Sequence, residues 1–120
     1  MIKIKRIYDV KEPGDGFRVL VDRLWPRGIS NKAGKIDLWL SDIGPSSHLR
    51  KWFAHEDTKW EKFKRLYQRE LKDKSELISQ IKSLEKDHET ITLLYSASNV
   101  IHNQAVVLRD FLEKVELNLK

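Results

Sequence analysis

Apolar positions change period along this chain, and the changes mark its elements. In IKIKRIY, residues 2–8, Ile2, Ile4 and Tyr8 are separated by Lys3, Lys5 and Ile7, the alternation of a strand. EPGDG, residues 12–16, is turn chemistry. Phe17 to Arg23 then reads as a second, more buried strand around Val19, Leu20 and Val21. TITLLYS, residues 90–96, is an apolar, β-branched run of the same kind and predicts a third.

Between these strands the period becomes helical. Ile36, Trp39, Leu40 and Ile43 fall at helical spacing on a short segment that Gly44-Pro45-Ser46 ends. Ser46 is placed to cap a helix carrying Leu49, Trp52 and Phe53, and Asp57 to cap the next. There Trp60, Phe63, Tyr67 and Leu71 form a core stripe. Ser75 opens a further helix, with Leu77, Ile78, Ile81 and Leu84 inward. The last helix, from about residue 100, is expected to bury Ile101, Ala105, Leu108, Leu112 and Val115.

This order predicts a single α/β domain over residues 1–120, with a short, mostly parallel or mixed sheet flanked by helices. The connection at residues 9–16 is short for a parallel crossover between neighbouring strands. Strands one and two are therefore antiparallel, or another strand lies between them.

Composition narrows the function. At 120 residues, 40% hydrophobic and 34% charged, the chain can bury one core. No apolar run approaches the length of a membrane span, and the N-terminus lacks the apolar stretch of a signal peptide, so a cytoplasmic, bacterial-type protein is expected. The absence of cysteine excludes disulfides and thiolate chemistry. A net charge of +5 makes the protein basic and favours anionic partners. His48, His55, His88 and His102 lack the paired spacing of a zinc site, so neither metal nor cofactor is expected. No nucleophile-elbow motif is present.

Two segments carry candidate chemistry. In RVLVDRLWPRG, residues 18–28, a buried strand breaks into Asp22, Arg23, Trp25, Pro26, Arg27 and Gly28. Arg23 and Arg27 offer planar forks of donors matched to phosphate or carboxylate, in a turn stiffened by Pro26. Asp22 either orients one of them, handles a proton, or merely stitches strand to helix. In TLLYSASNVIHNQAVVL, residues 92–108, a strand runs into small polar residues, and Ser96, Ser98, Asn99 and Asn103 can add donors. The plainer reading there is a helix cap. If the strands before these two segments are parallel neighbours, both loops open on the same edge. His55, beside Glu56 and Asp57, reads as a helix terminator or a general acid or base.

The expected ligand is thus a small anion, phosphorylated or nucleotide-like, held by Arg23, Trp25, Arg27, Ser96 and Asn103. Asp22 and His55 would be the catalytic groups if there is turnover. The alternative is a nucleic-acid or protein interaction module using Lys62, Arg65, Arg69 and Lys72, which fall on one helix face. Glu61 and Glu70 interrupt that face, as on a solvated surface, so nucleic acid is the less favoured partner.

Together VLVDRLWPRG, IDLWLSDIGPS, LRKWFAHED and TLLYSAS…HNQAVVL resemble the YeaO-like family, domain of unknown function 488, over nearly the whole chain. The resemblance implies a small α/β fold and no established activity. Against the family pattern, Gly44 stands in place of alanine, Ser41 of lysine, Ser98-Asn99 of a basic-acidic pair, and Gln104 of a second histidine. Distant relatives carry Cys-His near the last junction, where this chain has His102-Asn103.

Overall fold

The computed structural model describes residues 1–30 and 34–118. Four strands, β1 (Ile2–Arg6), β2 (Phe17–Leu20), β3 (Leu38–Trp39) and β4 (Ile91–Tyr95), form one sheet in the order β1-β4-β2-β3. Each neighbouring pair is parallel. β4, buried at every residue, is the strand that lies between the first two, which frees the 9–16 connection from crossing between neighbours. Leu93 sits at the centre of the ladder, opposite Ile4 on one side and Val19 on the other.

Four α-helices follow among the described residues: α1 (Ser47–Phe53), α2 (Trp60–Lys72), α3 (Ser75–His88) and α4 (Gln104–Asn118). The predicted stripe of Trp60, Phe63, Tyr67 and Leu71 is buried on α2, as are Ile78 and Ile81 on α3. They join Val19, Val21, Leu93, Ala105, Leu108 and Leu112 in the main core. Leu20 and Leu94 alternate with those strand residues and so point to the other face, where Ile7, Trp25, Ile29 and Ile36 cover them. Arg18, Thr92 and Asp15 are buried there too.

Several expectations are corrected. Residues 36–43 are not a helix: Leu38 and Trp39 pair with Val19 and Leu20, and a 3-10 turn, Ser41–Ile43, follows. The open side of β2 offers backbone partners, with Asp37 N–H to Arg18 O and Leu40 N–H to Leu20 O, and this pairing overrides a weak helical spacing. Trp39 is 41% exposed on this edge strand, stacked edge-on against the half-buried Trp25. β2 ends at Leu20 rather than Arg23.

Ser46 caps α1 as predicted, its hydroxyl accepting from Leu49 N–H at 3.1 Å. Asp57 does not cap α2. It opens a 3-10 turn, Asp57–Lys59, and its carboxylate instead accepts from Asn99 Nδ2 at 3.1 Å and contacts His102 Nδ1 at 2.9 Å. α4 starts at Gln104, not residue 100, and Ile101 is 68% exposed in the bend before it. Among the described residues no helix is long and apolar enough to cross a membrane.

Candidate functional site

Because β2 and β4 are parallel neighbours, the turn after one and the junction after the other leave the sheet at the same carboxyl end. Asp22 closes the gap between them. Its Oδ2 accepts from Ser96 N–H at 3.0 Å and Ser96 Oγ–H at 2.6 Å, and its Oδ1 accepts from Gln104 Nε2. The carboxyl is 7% exposed, and burial pushes its pKa up; the bonds from Ser96 and Gln104 and the charge of His55 act in the other direction. Arg6, at the end of β1, holds the far side of the junction by donating from Nε to Ala97 O at 2.9 Å.

A cavity of about 540 Å³ opens over this seam. Asp22, Arg23, Trp25, Arg27, His55, Ser96 and Asn103 all line it. Seven side chains from three distant segments therefore share one hollow, and metal-ligating clusters are absent among the described residues.

Their engagement differs. Arg23 is half-buried and donates from Nε to Pro45 O at 2.8 Å and from Nη2 to Gly44 O at 2.9 Å, while its Nη1 lies 3.8 Å from the exposed Asp42. Much of its donor fork thus fixes the turn before α1. Arg27 is exposed, and its carbonyl accepts from Tyr8 Oη at 2.9 Å, tying two lips of the cavity together. Trp25 is fixed by Nε1–H donation to Ile29 O at 2.6 Å. Asn103 is 2% exposed and acts as the cap of α4: Oδ1 accepts from Val106 N–H at 3.2 Å, and Nδ2 donates to Asn99 O at 2.9 Å. Ser98 reaches the cavity, whereas Asn99 is turned to Asp57.

α1 ends in two consecutive left-handed residues, Ala54 (φ 47) and His55 (φ 59). This reversal aims the exposed His55 at the cavity, beside the ring of Phe53. Sequence reasoning missed Arg50 on the same helix, which also lines the cavity. It lies one turn before Phe53, so a charged residue on the inward face was the signal. Its Nη2 donates to Ser47 Oγ at 3.3 Å, but its Nε is buried without a hydrogen-bond partner among the described residues. On α2, Lys62, Arg65, Arg69 and Lys72 stand exposed, away from this site.

The chain is thus a small parallel α/β domain whose strand-end loops frame an arginine-lined cavity. It belongs to the family described as the inactive DUF488-N3 subclade, whose model matches residues 1–118. Among its relatives is the uncharacterised protein YeaO of Escherichia coli (strain K12), 41% identical over 114 residues, covering 95% of this chain and 98% of that one. An uncharacterised protein of Mycobacterium tuberculosis (strain H37Rv) is 33% identical over 111 residues, 92% of each chain. An uncharacterised Mycobacterium bovis protein matches to the same extent. No solved structure matches the chain.

Proposed function

We propose that the protein binds a compact anionic ligand, phosphorylated or nucleotide-like, in the cavity between the turn after β2 and the junction after β4. The observation that carries this reading is the charge of the lining. Arg23, Arg27 and Arg50 face a single carboxylate, Asp22, which already holds three donors. Guanidinium groups at a concave site with apolar walls favour an oxyanion, each charge-assisted bond contributing roughly 1.5–3 kcal/mol.

The description of the family as inactive agrees with binding rather than turnover. If a substrate were turned over, Asp22, whose burial favours the protonated form, and His55 would be the groups that handle protons. Thermal unfolding in the presence of phosphates, nucleotides and sugar phosphates tests the reading. A ligand at a hundred times its Kd is expected to stabilise by about 2.7 kcal/mol, and Arg27→Ala to reduce that gain. Unchanged melting with every anion would overturn it.

A further inference from the structure

We infer that the ligand is a nucleoside monophosphate, its phosphate held by Arg50 and a ring amino or sugar hydroxyl group by Asp22. This rests on the anion-binding reading and narrows it. Size is the first argument. A hollow of about 540 Å³ falls in the range of sites for whole small molecules, and a lone phosphate would occupy only a small part of it.

The second argument concerns which arginine is ready for a ligand. Arg23 has Nε and Nη2 committed to Pro45 and Gly44 carbonyls. Arg50 donates from Nη2 to Ser47 Oγ at 3.3 Å, and its Nε has no acceptor among the described residues. A charged donor left unpaired is destabilising, so turning the Arg50 guanidinium further into the cavity it lines, toward a phosphate oxygen whose geometry suits its fork, is favoured. Arg27, exposed at the same cavity, adds positive charge, and the exposed His55 ring lines it too.

The third argument is Asp22. Both lone pairs of Oδ2 are engaged by Ser96, whereas Oδ1 takes one donor from Gln104 and keeps one acceptor direction. A carboxylate inside an anion site repels a ligand built only of oxyanion. It favours one that also brings an N–H or O–H donor. Finally, Tyr8, 44% exposed, and the half-buried Trp25 bring aromatic rings to the cavity wall, which a planar base matches and a plain sugar does not. Phosphate, donor and flat ring occur together in a nucleoside monophosphate.

The test titrates the full chain, by calorimetry, with adenosine, guanosine, cytidine and uridine monophosphates, ribose 5-phosphate and inorganic phosphate. At least one nucleotide is expected to bind about ten- to a hundredfold more tightly than inorganic phosphate or ribose 5-phosphate. Arg50→Gln should weaken that nucleotide by a similar factor, and Arg50→Lys by less. Ribose 5-phosphate or phosphate binding as tightly as every nucleotide would overturn the inference and leave the anion-binding reading standing. No binding by any of the six would remove both. Asp22→Asn is expected to weaken the nucleotide but not inorganic phosphate; should that variant fail to fold, the ligand series with Arg50→Gln still decides.

Discussion

The carboxylate of Asp22 accepts both the backbone N–H of Ser96, at 3.0 Å, and its hydroxyl, at 2.6 Å. One side chain at the end of β2 thereby fixes the end of β4, and through Gln104 the start of α4. A second buried aspartate does similar work on the opposite face of the sheet. Asp15 pairs with Lys5 at 2.8 Å and with Arg18, and its backbone carbonyl accepts from Thr92 Oγ1 at 2.7 Å.

These two carboxyls titrate to opposite sides of the ordinary value of 3.8. For Asp22, burial dominates and raises the pKa. For Asp15, burial acts upward, but hydrogen bonds from Lys5, the Glu12 amide and Arg18 outweigh it and leave the pKa lowered. A lowered group contributes stability that is present above 3.8 and lost as pH falls through its folded value. A raised group contributes stability present below 3.8 and lost as pH rises through its folded value. In a pH series of urea unfolding, Asp15→Asn should therefore flatten the acid limb, and Asp22→Asn the decline above 3.8. Carbon NMR titrations placing both carboxyls on the same side of 3.8 would refute this.

Arg18 is 1% exposed and donates to Asp15, to Lys35 O and to Gly34 O, the latter two at 3.0 Å. Arg18→Ala leaves Asp15 buried with half its cationic support and two carbonyls unpaired. The expected loss of stability is about 3–5 kcal/mol, the range for breaking a buried ion pair. Arg18→Lys, which keeps the charge but not the fork, should restore only part of it. Equal stability of wild type and Arg18→Ala in urea would show that the network is slack.

The sequence made these elements legible to different degrees. The α2 stripe and the β4 run announce themselves because each buries one uninterrupted apolar face or span. β3 did not, because a two-residue edge strand is defined by what β2 offers it, not by its own period. The place of β4 between β1 and β2 is likewise a long-range choice that no local pattern encodes. At the site, Asp22, Arg23, Trp25, Arg27, Ser96 and Asn103 stood out as dense polar chemistry at strand ends, and all line one cavity. Their individual duties were hidden. Whether Arg23 faces a ligand or the Gly44 and Pro45 carbonyls depends on a turn far along the chain. Arg50 was obscured because its helix is only seven residues long, too short to separate an inward arginine from an outward one.

The end of α1 stores strain that substitution can release. Ala54 is exposed and left-handed, with φ 47 and ψ 35. That conformation costs an L residue about 1–2 kcal/mol, against roughly 0.5–1 kcal/mol of added chain entropy lost by glycine. Ala54→Gly should thus raise stability slightly, by up to about 1 kcal/mol, without moving His55. Gly16 is the converse case: its φ is 64, and a Cβ there would collide with the Thr90 carbonyl oxygen. Gly16→Ala should lower stability by about 1–3 kcal/mol. Thermal denaturation of the two variants is expected to shift in opposite directions, and a common direction would contradict the backbone argument.

Asn103 separates structural support from ligand contact. Its Oδ1 caps α4 and its Nδ2 braces the junction through Asn99 O, although the residue also lines the cavity. Asn103→Ser and Asn103→Ala both lose the donation to Asn99 O, but serine keeps a capping oxygen and should cost about 1 kcal/mol less than alanine, the usual worth of a cap. Asn103→Asp keeps the cap as well and places a negative charge at a helix N-terminus, where it is stabilising by about 0.3–1 kcal/mol. At the cavity wall that same charge repels an anion. Against the gain at the helix end, the new carboxylate loses the Nδ2 donation to Asn99 O and sets an oxygen of a buried side chain against that carbonyl. The aspartate variant is therefore expected to melt below wild type, by about 1–3 kcal/mol, while binding phosphate-bearing ligands more weakly. Melting and titration curves measured on the same three variants check this, and an aspartate variant that binds such ligands undiminished would mean that the anion sits elsewhere.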